Sequence, residues 1–150
     1  HHALKMYHGM LKNDSIHPNA PTFSALLKAC GKLKDTAKGL AIHRHISRIF
    51  GIRRDAFVAN SLVDMYAKCG LLAEARRIFN EIPMRDVVSW TTMISGYFEN
   101  GHEEEALFCF ERMQKEGIIP NEITFVFALK ACGSIGCPYK AMEIEAKVAK

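Results

Sequence analysis

The sequence predicts an all-α fold, an α-solenoid of antiparallel helix–turn–helix repeats. Three observations predict it. The chain copies itself: TFSALLKACG at Thr22–Gly31 returns as TFVFALKACG at Thr124–Gly133, seven of ten residues matching at an offset of 102. Pro18-Asn19 returns as Pro120-Asn121 at the same offset. Asp or Asn closes a unit at Asn19, Asp55, Asp86 and Asn121, and the units 20–55, 56–86 and 87–121, of 36, 31 and 35 residues, account for that offset. Within the units, apolar residues recur at helical spacing, and no stretch alternates with period two long enough to argue a strand. A hairpin this short cannot bury its apolar face alone, so such units stack into arrays that share a core.

The elements follow in chain order. Residues 1–19 read as a partial unit, the second helix of a hairpin. Helical segments end in Gly turns at Ala29–Lys32, Ala67–Leu71, Phe98–His102 and Ala131–Ser134. In 56–86 the helices are Phe57–Lys68 and Leu72–Ile82, with Pro83 forcing the stop. In 87–121 the first helix is Val88–Glu99, its apolar positions being Val88, Met93, Ile94 and Tyr97, and Gly101 is its left-handed stop. The second is His102–Lys115, with Ala106, Leu107, Phe110 and Met113 as its stripe. Glu103, Glu104 and Glu105 sit at the positive end of its dipole, and Gly117 closes it. Asp86-Val87-Val88-Ser89-Trp90 is β-prone by composition, but its place in the repeat makes it a helix start. Residues 122–150 read as a further unit cut before its end.

Composition narrows the function. The chain of 150 residues is 49% hydrophobic and 24% charged, too apolar for a disordered tail and too charged for a membrane bundle. The net charge of +4 is compatible with an anionic partner. Five cysteines without tight pair spacing argue against a disulfide framework and for a reducing compartment. The chain opens at His1 without a methionine and reads as an internal piece of a longer protein.

The unit lengths and the residues together resemble the pentatricopeptide repeat family. The resemblance is carried by DAFVANSLVDMYAKCGLLAEARRIFNEIPMRD at Asp55–Asp86, VVSWTTMISGYFENGHEEEALFCFERMQKEGIIPN at Val87–Asn121 and TFSALLKACGKL at Thr22–Leu33. The succession looks like the plant PLS-type subclass: 1–19 as part of a standard repeat, 20–55 long, 56–86 short, 87–121 standard and 122–150 a partial long repeat. The tetratricopeptide family has nearly the same period, but its Trp, Leu-Gly, Tyr pattern is absent and Trp90 lacks that context.

The resemblance implies a right-handed solenoid that binds single-stranded RNA at one base per repeat. It implies that the fifth and last residues of each repeat meet the base. These are Asn60 and Asp86 in the short repeat, favouring uracil and then cytosine. They are Thr91 and Asn121 in the standard repeat, suggesting adenine, and Ser24 and Asp55 in the long repeat, nominally guanine. Val126 is the fifth residue of the last repeat and is assigned no base. Base stacking falls to Phe57 and Val88, with Pro21 and Ile123 as weaker members. The resemblance further implies a mitochondrial or chloroplast protein directing RNA processing such as C-to-U editing, with editing-factor or ribonucleoprotein proteins as partners. The alternative is a structural or assembly subunit of an organellar ribonucleoprotein or transcription complex, with the solenoid as scaffold.

Each site residue also has a plain structural reading. Asn19, Asp55, Asp86 and Asn121 all stand where helix N-caps stand. Lys28, Lys68 and Lys130 are expected at the ends of first helices, where a cation meets either the dipole or a phosphate. His102-Glu103-Glu104 fits half of the zinc deaminase signature, but the P-C-x-x-C half is missing, Cys132 and Cys137 being four residues apart. His43 and His45 face different ways on a helix, and Cys30 and Cys132 read as small buried hydrophobes. The sequence offers no catalytic constellation, no metal site, no cofactor, no small-molecule substrate and no membrane span.

Overall fold

The computed structural model describes Lys5 and residues 19–148, apart from the side chains of residues 50, 53, 138 and 139. The partial unit 1–19 therefore lies outside the described residues except for Lys5 and Asn19. Every regular element among the described residues is a helix. The chain forms two compact bodies that meet in sequence at Ile82 and Pro83. The first holds α1 (Ala20–Leu33), α2 (Thr36–Ser47), the single turn α3 (Phe50–Arg53), α4 (Ala56–Lys68) and α5 (Leu72–Glu81). The second holds α6 (Val87–Glu99), α7 (Glu103–Lys115), α8 (Glu122–Ile135) and α9 (Pro138–Val148).

The helices start where the sequence supplies a cap. Asn19, Asp35, Asp55, Asp86 and Asn121 each accept a hydrogen bond from the backbone N–H three residues on, at Thr22, Lys38, Val58, Ser89 and Thr124. Such a cap contributes about 1 kcal/mol by satisfying an N–H that has no partner within the helix. At Asp86 and Asn121 the Ser89 and Thr124 hydroxyls also answer the cap's own N–H, which fixes the β-prone Asp86–Trp90 stretch as a helix start.

The first-helix stops fall at one place in every repeat. Backbones with positive φ occur at Lys34 (53°), Gly70 (80°), Gly101 (79°) and Gly136 (67°), each the fifteenth residue of its repeat. The turns expected at Gly31 and Gly133 are therefore corrected: α1 runs through Gly31 to Leu33, and α8 runs through Gly133 to Ile135. Gly31 serves packing instead. A Cβ there would lie 3.2 Å from Lys68 Cδ and 3.4 Å from Met65 Cα, so this glycine lets α1 approach α4. Gly117, at φ 84°, closes the second helix of the standard repeat as expected.

Each body has its own core. In the first, Phe23, Leu26 and Leu27 of α1 and Val58, Leu62, Met65 and Tyr66 of α4 are buried with Ile42, Ile46, Ile78 and Phe79 from the second helices. In the second, Trp90, Met93, Ile94 and Tyr97 of α6 are buried with Ala106, Leu107, Phe110 and Met113 of α7, as the spacing predicts, and with Ala128 and Cys132 of α8. First helices pack on first helices, α1 on α4 and α6 on α8, while each also packs on its own hairpin partner. Trp90 is the largest buried side chain, with the Arg85 and Arg112 guanidiniums 5.6 and 5.9 Å from its ring. Val88 leaves the expected apolar stripe: it is exposed, because the second position of the helix points away from the hairpin.

Candidate nucleic-acid interface

Burying one flank of each first helix leaves a stripe of the same helix in solvent. On α1 this stripe is Pro21, Ala25, Lys28 and Lys32, spaced four, three and four apart, with Leu33 also exposed at the helix end. The corresponding stripe begins at Phe57 on α4, Val88 on α6 and Ile123 on α8. So the second residue of all four repeats is apolar and exposed, with Phe57 at 58%, Val88 at 52% and Ile123 at 59%. A single exposed apolar side chain needs no explanation, but an exposed apolar residue at one repeat position, four times over, is a pattern. Lys28 Nζ sits 5.5 Å from the Phe57 ring centroid, placing a cation beside the most polarisable of these surfaces.

The fifth residues lie one turn further on. Ser24 is only 2% exposed, and its Oγ has no hydrogen-bond partner among the described residues. It is sealed inside the first body. Asn60 is half-buried, with an Oδ1 that is buried and without a hydrogen-bond partner among the described residues. Thr91 is half-buried, and its Oγ1 lies 2.7 Å from Thr124 Oγ1. Val126 is exposed.

The closing residues Asp55, Asp86 and Asn121 are N-caps in fact. Asp55 Oδ1 accepts from Val58 N–H at 3.0 Å. Asp86 Oδ1 accepts from Ser89 N–H and Oγ–H at 2.9 and 3.1 Å. Asn121 Oδ1 accepts from Thr124 N–H and Oγ1–H at 3.0 and 2.8 Å. Capping occupies one oxygen and leaves the outer half of each side chain available. Asp86 and Asn121 are exposed.

Of the three lysines expected at first-helix ends, only Lys68 ends its helix, and it is held 3.0 Å from Asp64. Lys28 and Lys130 lie mid-helix, because α1 and α8 extend past Gly31 and Gly133; both are exposed. Charge is uneven along the chain. Residues 19–82 carry eleven lysines and arginines against five acidic residues, whereas residues 83–150 carry seven against ten.

Repeat models close the identification: a PPR repeat matches residues 57–87, and the PPR repeat family matches residues 85–134. The chain belongs to the PPR repeat family. Among similar PPR proteins of Arabidopsis thaliana, a chloroplastic pentatricopeptide repeat-containing protein is 38% identical over 146 residues, 97% of this chain and 17% of that protein. A mitochondrial one is 39% identical over 143 residues, 95% of this chain and 18% of that protein. The chain thus spans about a fifth of the length of the curated relatives it matches. The fold matches the PPR protein PPR10 in complex with an 18-nt psaJ RNA element, with a TM-score of 0.73 at 20% identity over 89% of this chain and 20% of that one. It also matches PPR10 from maize, with a TM-score of 0.67 over 93% of this chain and 20% of that one. The likeness makes the fold an α-solenoid of PPR hairpins.

The remaining polar chemistry of the PPR hairpins is structural. His43 Nδ1 is 2.5 Å from Tyr66 Oη, whereas His45 stacks edge-on to Phe23 at 5.4 Å, so the two histidines serve different partners. Burial, helped by Arg77, holds the His43 pKa below its ordinary 6.5, and burial raises that of Tyr66. Burial, with Asp35 second, pushes the Cys30 thiol up to about 11. Such a thiol stays protonated and inert at neutral pH. His102 takes the N-cap position of α7 without a side-chain cap bond, 3.8 Å from Glu105. Among the described residues no three His, Cys, Asp or Glu side chains cluster as metal ligands, and no helix is long and apolar enough to cross a membrane.

Two features of this surface were missed by sequence reasoning: the reach of Lys28 across to Phe57 and the bond between the Thr91 and Thr124 hydroxyls. The capping-box spacing of Asn121 and Thr124 signals the cap but not the bond to Thr91.

Proposed function

We propose that this chain is part of an organellar RNA-binding protein that reads single-stranded RNA at one base per repeat. The observation that carries this reading is the exposed apolar second position of each repeat, one helical turn before the half-buried polar fifth residues Asn60 and Thr91. A base stacked on the first presents its edge to the second, and in the standard repeat the outer half of Asn121 completes the contact. Asn60 with Asp86 selects uracil, and Thr91 with Asn121 selects adenine. Ser24 contributes nothing directly, and Val126 selects no base. The lysine-rich stripe of α1 neutralises phosphates.

The repeat succession of 36, 31 and 35 residues supports the PLS-type subclass, whose members direct C-to-U editing. Chloroplastic and mitochondrial relatives support an organellar address. The RNA complex of PPR10 supports RNA as the partner. In this reading the chain selects the transcript, and the chemistry lies in another domain or in a partner protein.

The test is selection of the full-length protein against a randomised single-stranded RNA pool. Enrichment of a sequence containing U followed by A, lost when the complementary strand is annealed, is the expected result. Equal retention of all sequences, or preference for duplex, would overturn it.

A further inference from the structure

The bond between Thr91 and Thr124 has a direction, and the direction can be worked out. Thr124 N–H points at the Asn121 side chain at 3.0 Å, so the atom that receives it is an acceptor, which fixes Oδ1 inward and the Nδ2 amide outward. Thr124 Oγ1 lies 2.8 Å from that same Oδ1, and its single proton is donated there. With its proton spent, Thr124 Oγ1 can only accept from Thr91 Oγ1–H, across 2.7 Å. The relay therefore runs from Thr91 to Thr124 to Asn121.

The consequence reaches the outer surface. Thr91 has donated its proton inward, so it offers only lone pairs outward. Asn121 has committed its oxygen inward, so it offers only N–H outward. A base meeting this pair faces an acceptor beside a donor, and adenine answers both with N6–H and N1. Thr124 itself is fully buried.

The molecule contains its own control. The residue equivalent to Thr124 in the repeat that follows Ser24 is Val58, which has no hydroxyl. Ser24, the equivalent of Thr91, has an Oγ with no hydrogen-bond partner among the described residues. In this repeat both the third-position hydroxyl and the relay are missing.

We propose that Thr124, the third residue of its repeat, is a positioning residue that sets the hydrogen-bond polarity of the preceding repeat's base-reading pair, Thr91 and Asn121. This rests on the RNA reading above.

The test uses the full-length protein and fluorescein-labelled RNA taken from the pool selection. The nucleotide belonging to this repeat is identified by its response to Thr91→Asn, and all four bases are placed there. The wild type should spread the four affinities by about tenfold, as expected for one well-placed hydrogen bond. Thr124→Val, which keeps the shape and removes the hydroxyl, should compress that spread to within about threefold without altering preference at the Asn60 nucleotide. Thr124→Ser should restore it. An unchanged spread in Thr124→Val, or an equal loss for all four bases, would overturn the proposal and leave Thr124 a structural cap.

A wild type that selects no sequence, or no nucleotide that responds to Thr91→Asn, would instead defeat the RNA reading on which the proposal stands. Val58→Thr gives a check that does not depend on Thr124→Val folding. It should build the relay onto Ser24 and raise the thermal midpoint, and Ser24→Ala should cancel the gain. A gain that survives Ser24→Ala, or no gain at all, would overturn the relay geometry.

Discussion

Lys28 on α1 places its ammonium 5.5 Å from the ring of Phe57 on α4, although both side chains are exposed. An aromatic face in solvent with a cation at its side is the arrangement that suits a stacked base and its phosphate. Phe57→Ala in the full-length protein should weaken RNA binding by about 1–3 kcal/mol. Thermal stability should hardly change, since Phe57 is mostly outside the core. Equilibrium titration beside a melting curve checks both halves.

Lys28→Ala should act differently on the same pair. Losing one phosphate contact lowers the slope of log affinity against log salt by about 1 and weakens all RNA sequences alike. Binding measured across a salt series would show it. An unchanged slope would mean that Lys28 serves only the Phe57 ring.

The shared stop position predicts opposite effects of glycine at two sites. Lys34 adopts φ 53° with a side chain, whereas Gly101 adopts φ 79° without one. Lys34→Gly should stabilise the protein by about 0.5–1 kcal/mol, the relief of left-handed strain less the added freedom of the unfolded chain. Gly101→Ala should destabilise it by about 1–2 kcal/mol through the same strain. Chemical denaturation of both variants is the check.

These stops also show how far the sequence could be read. The hairpins and most helix ends were legible, because caps and glycines sit at fixed intervals. Gly31 and Gly133 misled, because a glycine can mark either a turn or a close approach. Only the packing of α1 on α4 shows that Gly31 is the second kind. Lys34 carried no sign of a left-handed backbone. At the interface, exposure of Phe57 followed from its place in the repeat, Val88 read both as part of the apolar stripe and as a stacking residue, and burial of Ser24 was not legible. Fifth-position residues share a register, and their accessibility depends on the neighbours packed around them.

His43 predicts a pH dependence of stability. Its folded pKa lies below 6.5, because burial disfavours the cation and Arg77 adds to this. Between the folded value and 6.5 the unfolded chain therefore binds more protons than the folded one. The stabilisation is complete above about pH 6.5 and is lost as pH falls through the lower, folded value. Denaturation midpoints between pH 7.5 and 5 should fall, and His43→Gln should flatten that fall.

The most direct measurement is a change of code in the short repeat. In the full-length protein, Asn60→Thr together with Asp86→Asn gives this repeat the same base-reading pair as the standard repeat has in Thr91 and Asn121. Selection against randomised single-stranded RNA should then change one position from uracil to adenine and leave its neighbours as they were. Retention of uracil at that position would contradict the account.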